Sequence, residues 1–264
     1  MKSVQVTKIQ KSVVWLVILL LTIVSRFLAI TNKPIHFDES INGWFVMQMK
    51  TLGFYKYDPV NYHGPLYFYL LQSFEFLWGR SLQTLRSVPS VFGVFSVMLF
   101  AFPVLRSKKF SYAVLLFLFL SPAFLFYGRS GIHEMPFVFF QLLFALGIFR
   151  WLENKDASAL GLVATGLIGM MTLKETFAIT IVSWLVGLAF LGLPDFKKFF
   201  SWGDIKKAWT GRLTYLVVML LVVFLLLFSG FGRNPAGLLD FVKAFLPWMK
   251  TGVGETGHNK EFLY

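Results

Sequence analysis

Residues 161–193 read GLVATGLIGMMTLKETFAITIVSWLVGLAFLGL, and Lys174 and Glu175 are the only charges in that stretch. Uninterrupted, it would be far longer than one spanning helix of about 20 residues. Broken at Lys174-Glu175, it reads as two apolar helices folded back through a tight polar turn. Such a hairpin, apolar all round, belongs in a membrane. The same reading extends along the chain. Apolar runs occupy Val13–Ile30, Val88–Leu105, Phe110–Tyr127, Pro136–Leu152, Ala157–Leu173, Thr176–Leu193 and Leu213–Phe231. Each has about 17–19 residues, near the lower end for a span. A shorter run, Pro65–Trp78, is rich in Tyr and Phe and suits a helix lying at the membrane interface.

Composition agrees. The chain has 264 residues, 56% hydrophobic and 14% charged, with a mean hydropathy of +0.67. An ordinary soluble domain is about 25% charged. Disorder, a coiled coil and a nucleic-acid-binding domain are excluded on those grounds. The fold class expected is all-α, a polytopic transmembrane bundle of about seven spans. There are no cysteines, so packing alone must hold the loops.

The net charge of +12 reads as an orientation signal, because the Lys and Arg residues lie between apolar runs. With the N-terminus inside, the inner segments hold 13 of the 25 basic residues in roughly 40 positions, against 12 in roughly 100 outside. Nine of the 13 acidic residues then fall outside. So does the largest loop, residues 31–85, and so does a C-terminal segment, 232–264. Chemistry is expected on the outer face of a single module, 1–264. The run from Val13 continues through Ile30 without a small-residue cleavage site, so it reads as an uncleaved first span. Ala157, Gly161, Thr165 and Gly169 recur every four residues and read as a helix-packing stripe.

Four outer features carry candidate chemistry. Asp38-Glu39 are adjacent carboxylates close to a membrane surface, expensive there unless paired or used. One can face a substrate while the other caps a helix or binds a cation, and Asp38 could itself cap a helix Glu39–Leu52. The second feature is Tyr55-Lys-Tyr-Asp-Pro-Val-Asn-Tyr-His-Gly-Pro65, where Asp58-Pro59 and Gly64-Pro65 mark turns. Its tyrosines, Tyr62 among them, can anchor at the headgroups or stack on a sugar or a polyprenyl chain. His63 could pack a turn, ligate a metal or hydrogen-bond a substrate. Third, Arg129, His133 and Glu134 fill the turn Gly128–Met135. Glu134 could face Asp38 across a cavity, with Arg129 on a phosphate. Fourth, Lys174 could snorkel to water or bind the phosphate too, beside Glu175. Arg86 reads as an interfacial anchor. A Walker loop, a His-Glu-x-x-His motif and a nucleophile elbow are absent. The four histidines show no metal-ligand spacing, which leaves a divalent cation open.

Together these pieces resemble the polytopic GT-C glycosyltransferases, a group that includes protein O-mannosyltransferases and the lipid A aminoarabinose transferase. The likeness lies in one span, an outer loop opening with Asp38-Glu39, a Gly-Pro-Leu-Tyr helix, and Leu85-Arg-Ser-Val-Pro-Ser-Val entering the next span. Tyr57-Asp-Pro-x-x-Tyr-His-Gly-Pro65, with Tyr127-Gly-Arg-Ser130 and Leu173-Lys-Glu175, is similar to a prokaryotic branch called flippase activity-associated. The resemblance implies sugar transfer from a polyprenyl-phosphate carrier to a protein, lipid or glycan acceptor on the outer face, without a nucleotide. It implies Asp38 as the activating carboxylate, Glu39 as its neighbour and Glu134 as the second acid. It implies Arg129 and Lys174 on the lipid phosphate, with Asp58, Tyr62, His63 and Glu175 near the substrate. Members usually continue through further spans and often a soluble domain, so a missing C-terminal half or a membrane partner is expected. A non-catalytic, flippase-associated relative is the alternative. A transporter should carry mid-span charges and an internal repeat, and neither is seen.

Overall fold

A computed structural model describes residues 8–61, 63–101, 119–190 and 201–251. It is all-helical. The helices are α1 (Lys8–Phe27), α2 (Phe37–Leu52), α3 (Pro65–Trp78), α4 (Leu82–Met98), α5 (Pro122–Tyr127), α6 (Glu134–Asn154), α7 (Ala157–Met171), α8 (Phe177–Phe190), α9 (Trp202–Ala208), α10 (Gly211–Phe228), α11 (Gly237–Lys243) and α12 (Phe245–Thr251). A 3-10 turn, Leu99–Ala101, continues α4.

Two of these helices, α6 and α10, are long and apolar enough to cross a membrane. Along α10 most side chains are exposed, Val218 at 52% and Met219 at 55%. A core helix of a soluble protein would hide that surface, so α10 supports membrane association. The other expected spans are shorter where described. α1 gives way to a turn after Phe27, where Ala29 takes a left-handed φ of 51°. The expected second span begins inside α4 and tightens into the 3-10 turn. α7 and α8 have 15 and 14 residues. The first half of the expected Phe110–Tyr127 span, and the end of Thr176–Leu193, lie outside the described residues.

Local chemistry explains the boundaries near the site. α3 starts at Pro65, whose fixed φ suits a first helical position, and ends at Gly79 with φ 74°. α2 starts two residues earlier than expected. Its N-cap is His36, not Asp38: the imidazole accepts the Asp38 N–H, and Glu39 accepts the His36 N–H from the third helical position. Histidine here does the work usually given to Ser or Asp.

One face of α3 is buried in the protein, with Tyr67 and Phe68 fully covered and Leu71 nearly so. These join Val46, Met49, Val88, Met135 and Met170 in the main core. α6 and α7 pack closely because of glycines. A Cβ on Gly166 would lie 2.5 Å from the Phe144 nitrogen, and one on Gly169 2.1 Å from the Phe140 ring. The small-residue stripe therefore splits between two neighbours. Gly169 meets α6, whereas Gly161 meets Leu213 and Leu216 of α10. A four-residue step overshoots a helical turn by about 40°, so the row winds round the helix.

Candidate functional site

At one end of the bundle four segments distant in sequence converge. They are the start of α2, the 53–64 loop, the turn before α6 and the turn between α7 and α8. The 53–64 loop is held to the α7–α8 turn by backbone. The Gly64 N–H donates to the Leu173 carbonyl at 2.9 Å and Leu66 N–H to Thr172 at 3.0 Å. A single antiparallel bridge joins His63 to Lys174. Glycine is required at position 64, since a Cβ would lie 2.3 Å from the Thr172 carbonyl oxygen. From below, the Tyr57 hydroxyl donates to Glu175 in a buried contact.

Between these segments lies a cavity of about 140 Å³. Asp38, Asn42, Asn61, His63, His133, Glu134 and Lys174 line it. Asp38 sits in the first turn of α2, exposed, where the helix N-terminus favours its charge. Lys174 Nζ lies 3.2 Å from Glu134 Oε1, and both are part-exposed. Glu134 Oε2 is buried without a hydrogen-bond partner among the described residues. His133 is 2% exposed, its ring 4.1 Å from Tyr67 and 4.7 Å from His63 between centroids. Its Nε2 and the Tyr67 hydroxyl are also buried and have no partner among the described residues. Burial, then the neighbouring His63 and Lys174, pushes the His133 pKa well below its usual value. Burial also lowers the His63 pKa. Both imidazoles are therefore neutral at physiological pH, able to accept or donate a hydrogen bond without carrying charge.

Further along α2 and the same loop lies a groove of about 430 Å³. Trp44, Phe45 and Tyr57 form apolar walls, and Gln48, Lys56 and Asp58 supply polar edges.

The expected site residues divide clearly. Asp38, Glu134, Lys174 and His63 share the cavity. Asp58 lines the neighbouring groove and accepts the Val60 N–H at 2.8 Å. Tyr62 lies outside the described residues. Glu39 is placed in a buried bidentate pair with Arg86, each bond 2.8 Å, and also accepts the Gly131 N–H at 2.7 Å. Arg86 is itself fully buried rather than interfacial. It donates to the carbonyls of Ile30, Lys33 and Pro34 at 2.8–2.9 Å. Glu39 and Arg86 thus fix the entry loop to α4. Favourable hydrogen bonds outweigh burial and hold the Glu39 carboxyl below its usual pKa. Arg129 does not face the cavity. Its guanidinium donates to the carbonyls of Ser25, Leu28 and Ala29, which closes the end of α1. Glu175 is 1% exposed and anchors Tyr57 instead of lining the cavity.

His133 and Asn42 extend the expected set. Asn42 donates to the Gly131 carbonyl at 2.9 Å and holds the turn against α2. Its place one helical turn after Asp38, on the same face, is the signal that marks it. His133 carries no sequence signal beyond its position before Glu134. Among the described residues no group of three or more His, Asp or Glu side chains could hold a metal ion. Comparison with known protein families, with curated proteins and with solved structures finds no match.

Proposed function

We propose that the chain is a membrane-embedded glycosyltransferase that moves a sugar from a polyprenyl-phosphate carrier to an acceptor hydroxyl at the outer face. The bundle would have about seven spans with the N-terminus inside, formed by α1, α4, the 110–127 segment, α6, α7, α8 and α10. One observation carries the reading. An exposed carboxylate, a Lys–Glu ion pair and a buried imidazole whose Nε2 has no hydrogen-bond partner among the described residues come from three separate segments and line one cavity.

The chemistry follows from those groups. Asp38 accepts the proton of the acceptor hydroxyl as its oxygen bonds to the anomeric carbon. The bond from that carbon to the carrier phosphate oxygen breaks, and the bonding pair leaves with the phosphate. Lys174 faces the developing negative charge on the departing oxygen. Glu134 holds Lys174 in place, and neutral His133 supplies a hydrogen bond to a sugar or acceptor hydroxyl. A cavity of about 140 Å³ is smaller than the roughly 300–1,000 Å³ of small-molecule sites. The 430 Å³ groove further along α2 is within that range. The cavity is therefore assigned to the reacting centre and the groove, with its aromatic walls, to the bulk of a sugar.

The alternative is a non-catalytic, flippase-associated membrane protein. It is favoured by the structural commitment of Glu39 and Arg129, both expected at the site. Lipid extracts of cells carrying wild type, Asp38→Asn or no protein, profiled by mass spectrometry, separate the two. Transfer predicts unspent polyprenyl-phosphate sugar in both the null and the Asp38→Asn cells. Donor accumulating only in the null would refute the role of Asp38. Matching profiles with the protein expressed would refute transfer altogether.

A further inference from the structure

At the opposite end of α7 from the cavity, a second groove runs between α7 and α10, about 560 Å³ in volume. Its walls are Leu143, Leu162, Leu213 and Leu216, and Gly161 forms its floor. Three hydroxyls also line it, and each is engaged by nearby chain. Ser158 donates to Asp156 at 2.7 Å, Thr165 donates to the Gly161 carbonyl at 2.8 Å, and Thr210 accepts the Leu213 N–H at 3.2 Å. The groove therefore offers an occupant an apolar wall. The exception is Arg212 at its mouth, exposed and without a partner among the described residues.

The mouth is basic beyond Arg212. Helix α9 sits at this end, its Ala208 buried with Trp151 and Ala159. Trp209 ties it to α10 by donating to Thr214 at 2.8 Å. α9 carries Lys206 and Lys207 against Asp204 alone, and Asp156 is already paired with Arg150 at 2.7 Å. Trp202 and Trp209 flank this helix and are exposed, as indoles are at a headgroup boundary. From Ser158 to Thr165 the groove runs about 10 Å along α7, about a third of a bilayer's hydrocarbon thickness. It lies within one leaflet, and the charge bias assigns that leaflet to the inner side, where anionic lipids draw basic segments.

We infer that this groove binds an anionic diacyl phospholipid of the surrounding bilayer, one acyl chain along α7 and α10 and the phosphate at Arg212. The inference rests on the membrane reading and is independent of transferase activity. It is tested by native mass spectrometry of the full chain released from nanodiscs of equal dioleoylphosphatidylglycerol and dioleoylphosphatidylcholine. Wild type should retain one phosphatidylglycerol in preference to phosphatidylcholine. Arg212→Gln should lower that preference roughly fivefold, the effect of about one basic residue near the surface. Thr165→Phe, which fills the groove, should lose the retained lipid while thermal unfolding shows the variant folded. Equal retention of both lipids by wild type would overturn the proposal. So would unchanged retention in folded Thr165→Phe, or a dimer that this substitution dissolves. A chain that stays soluble without detergent or lipid would instead overturn the membrane reading.

Discussion

Glu175→Gln should stabilise the protein, and only above acidic pH. The Glu175 carboxyl is 1% exposed. One oxygen accepts from Tyr57, and the other is buried without a hydrogen-bond partner among the described residues. Burial raises its pKa from 4.5 to about 7, against the opposing Tyr57 hydrogen bond and Lys174. Between those values the unfolded chain has released its proton while the folded chain still holds it. Folded protein then binds more protons, so stability falls as pH rises through this window. The difference between 4.5 and about 7 amounts to about 3 kcal/mol, at about 1.4 kcal/mol for each tenfold change in protonation. Glutamine keeps the acceptor for Tyr57 and places an amide where the acid carries its hydroxyl. The two proteins should match near pH 4.5 and diverge above it. For a chain near this size about 1 kcal/mol moves the melting temperature by roughly 2–4 °C, so the gap at pH 8 should be on the order of 6–12 °C. Tryptophan-monitored thermal unfolding in detergent from pH 4.5 to 8 measures it. A gap that stays constant with pH, or a variant that melts lower at pH 8, would refute the reasoning.

Three further substitutions probe the frame and the cavity. Arg86→Met leaves the Glu39 carboxylate buried and unpaired and should cost about 3–5 kcal/mol; chemical denaturation that finds less than about 1 kcal/mol would contradict the clamp. Gly64→Ala sets a Cβ 2.3 Å from the Thr172 carbonyl and should destabilise by about 1–3 kcal/mol through forced backbone movement. An unchanged melting temperature would show that the two loops do not approach this closely. His133→Phe removes a buried imidazole with an orphaned nitrogen, so stability should hold or rise by about 1 kcal/mol. The sugar transfer proposed above should meanwhile fall by about a hundredfold, the cost of losing one positioned hydrogen-bond donor. Transfer at the wild-type rate would leave His133 a packing residue.

What could be read in the chain was what neighbouring residues settle among themselves. α3 has the bounds expected of it, Pro65–Trp78, because Gly64, Pro65 and Gly79 punctuate it locally. The charged turn at Lys174-Glu175 does separate two apolar helices, α7 and α8. Long-range partners left no such mark. Glu39 and Arg86 pair across 47 residues, and Arg129 reaches back about 100 to the end of α1. In isolation each could equally have been a ligand for something else. The facing of Glu134 and Asp38 across a cavity, with Lys174 beside them, is legible in the chain, whereas the place of His63 on the same wall comes from tertiary contact. The His36 cap has no mark in the sequence, because the geometry of its ring, not its residue class, lets it accept the Asp38 N–H.

The Glu39–Arg86 clamp also sets a timetable. A ribosome adds about 5–20 residues per second, so Arg86 is made roughly 2–10 s after Glu39. During that interval the nascent loop 30–36 lacks its Arg86 donor, and the Glu39 carboxylate has no counter-charge. The site can close only later still, when the chain reaches Lys174 and the second loop gains its backbone partner. A nascent chain halted before the α7–α8 turn would therefore hold its carboxylates in an unfinished cavity, with no Lys174 opposite them.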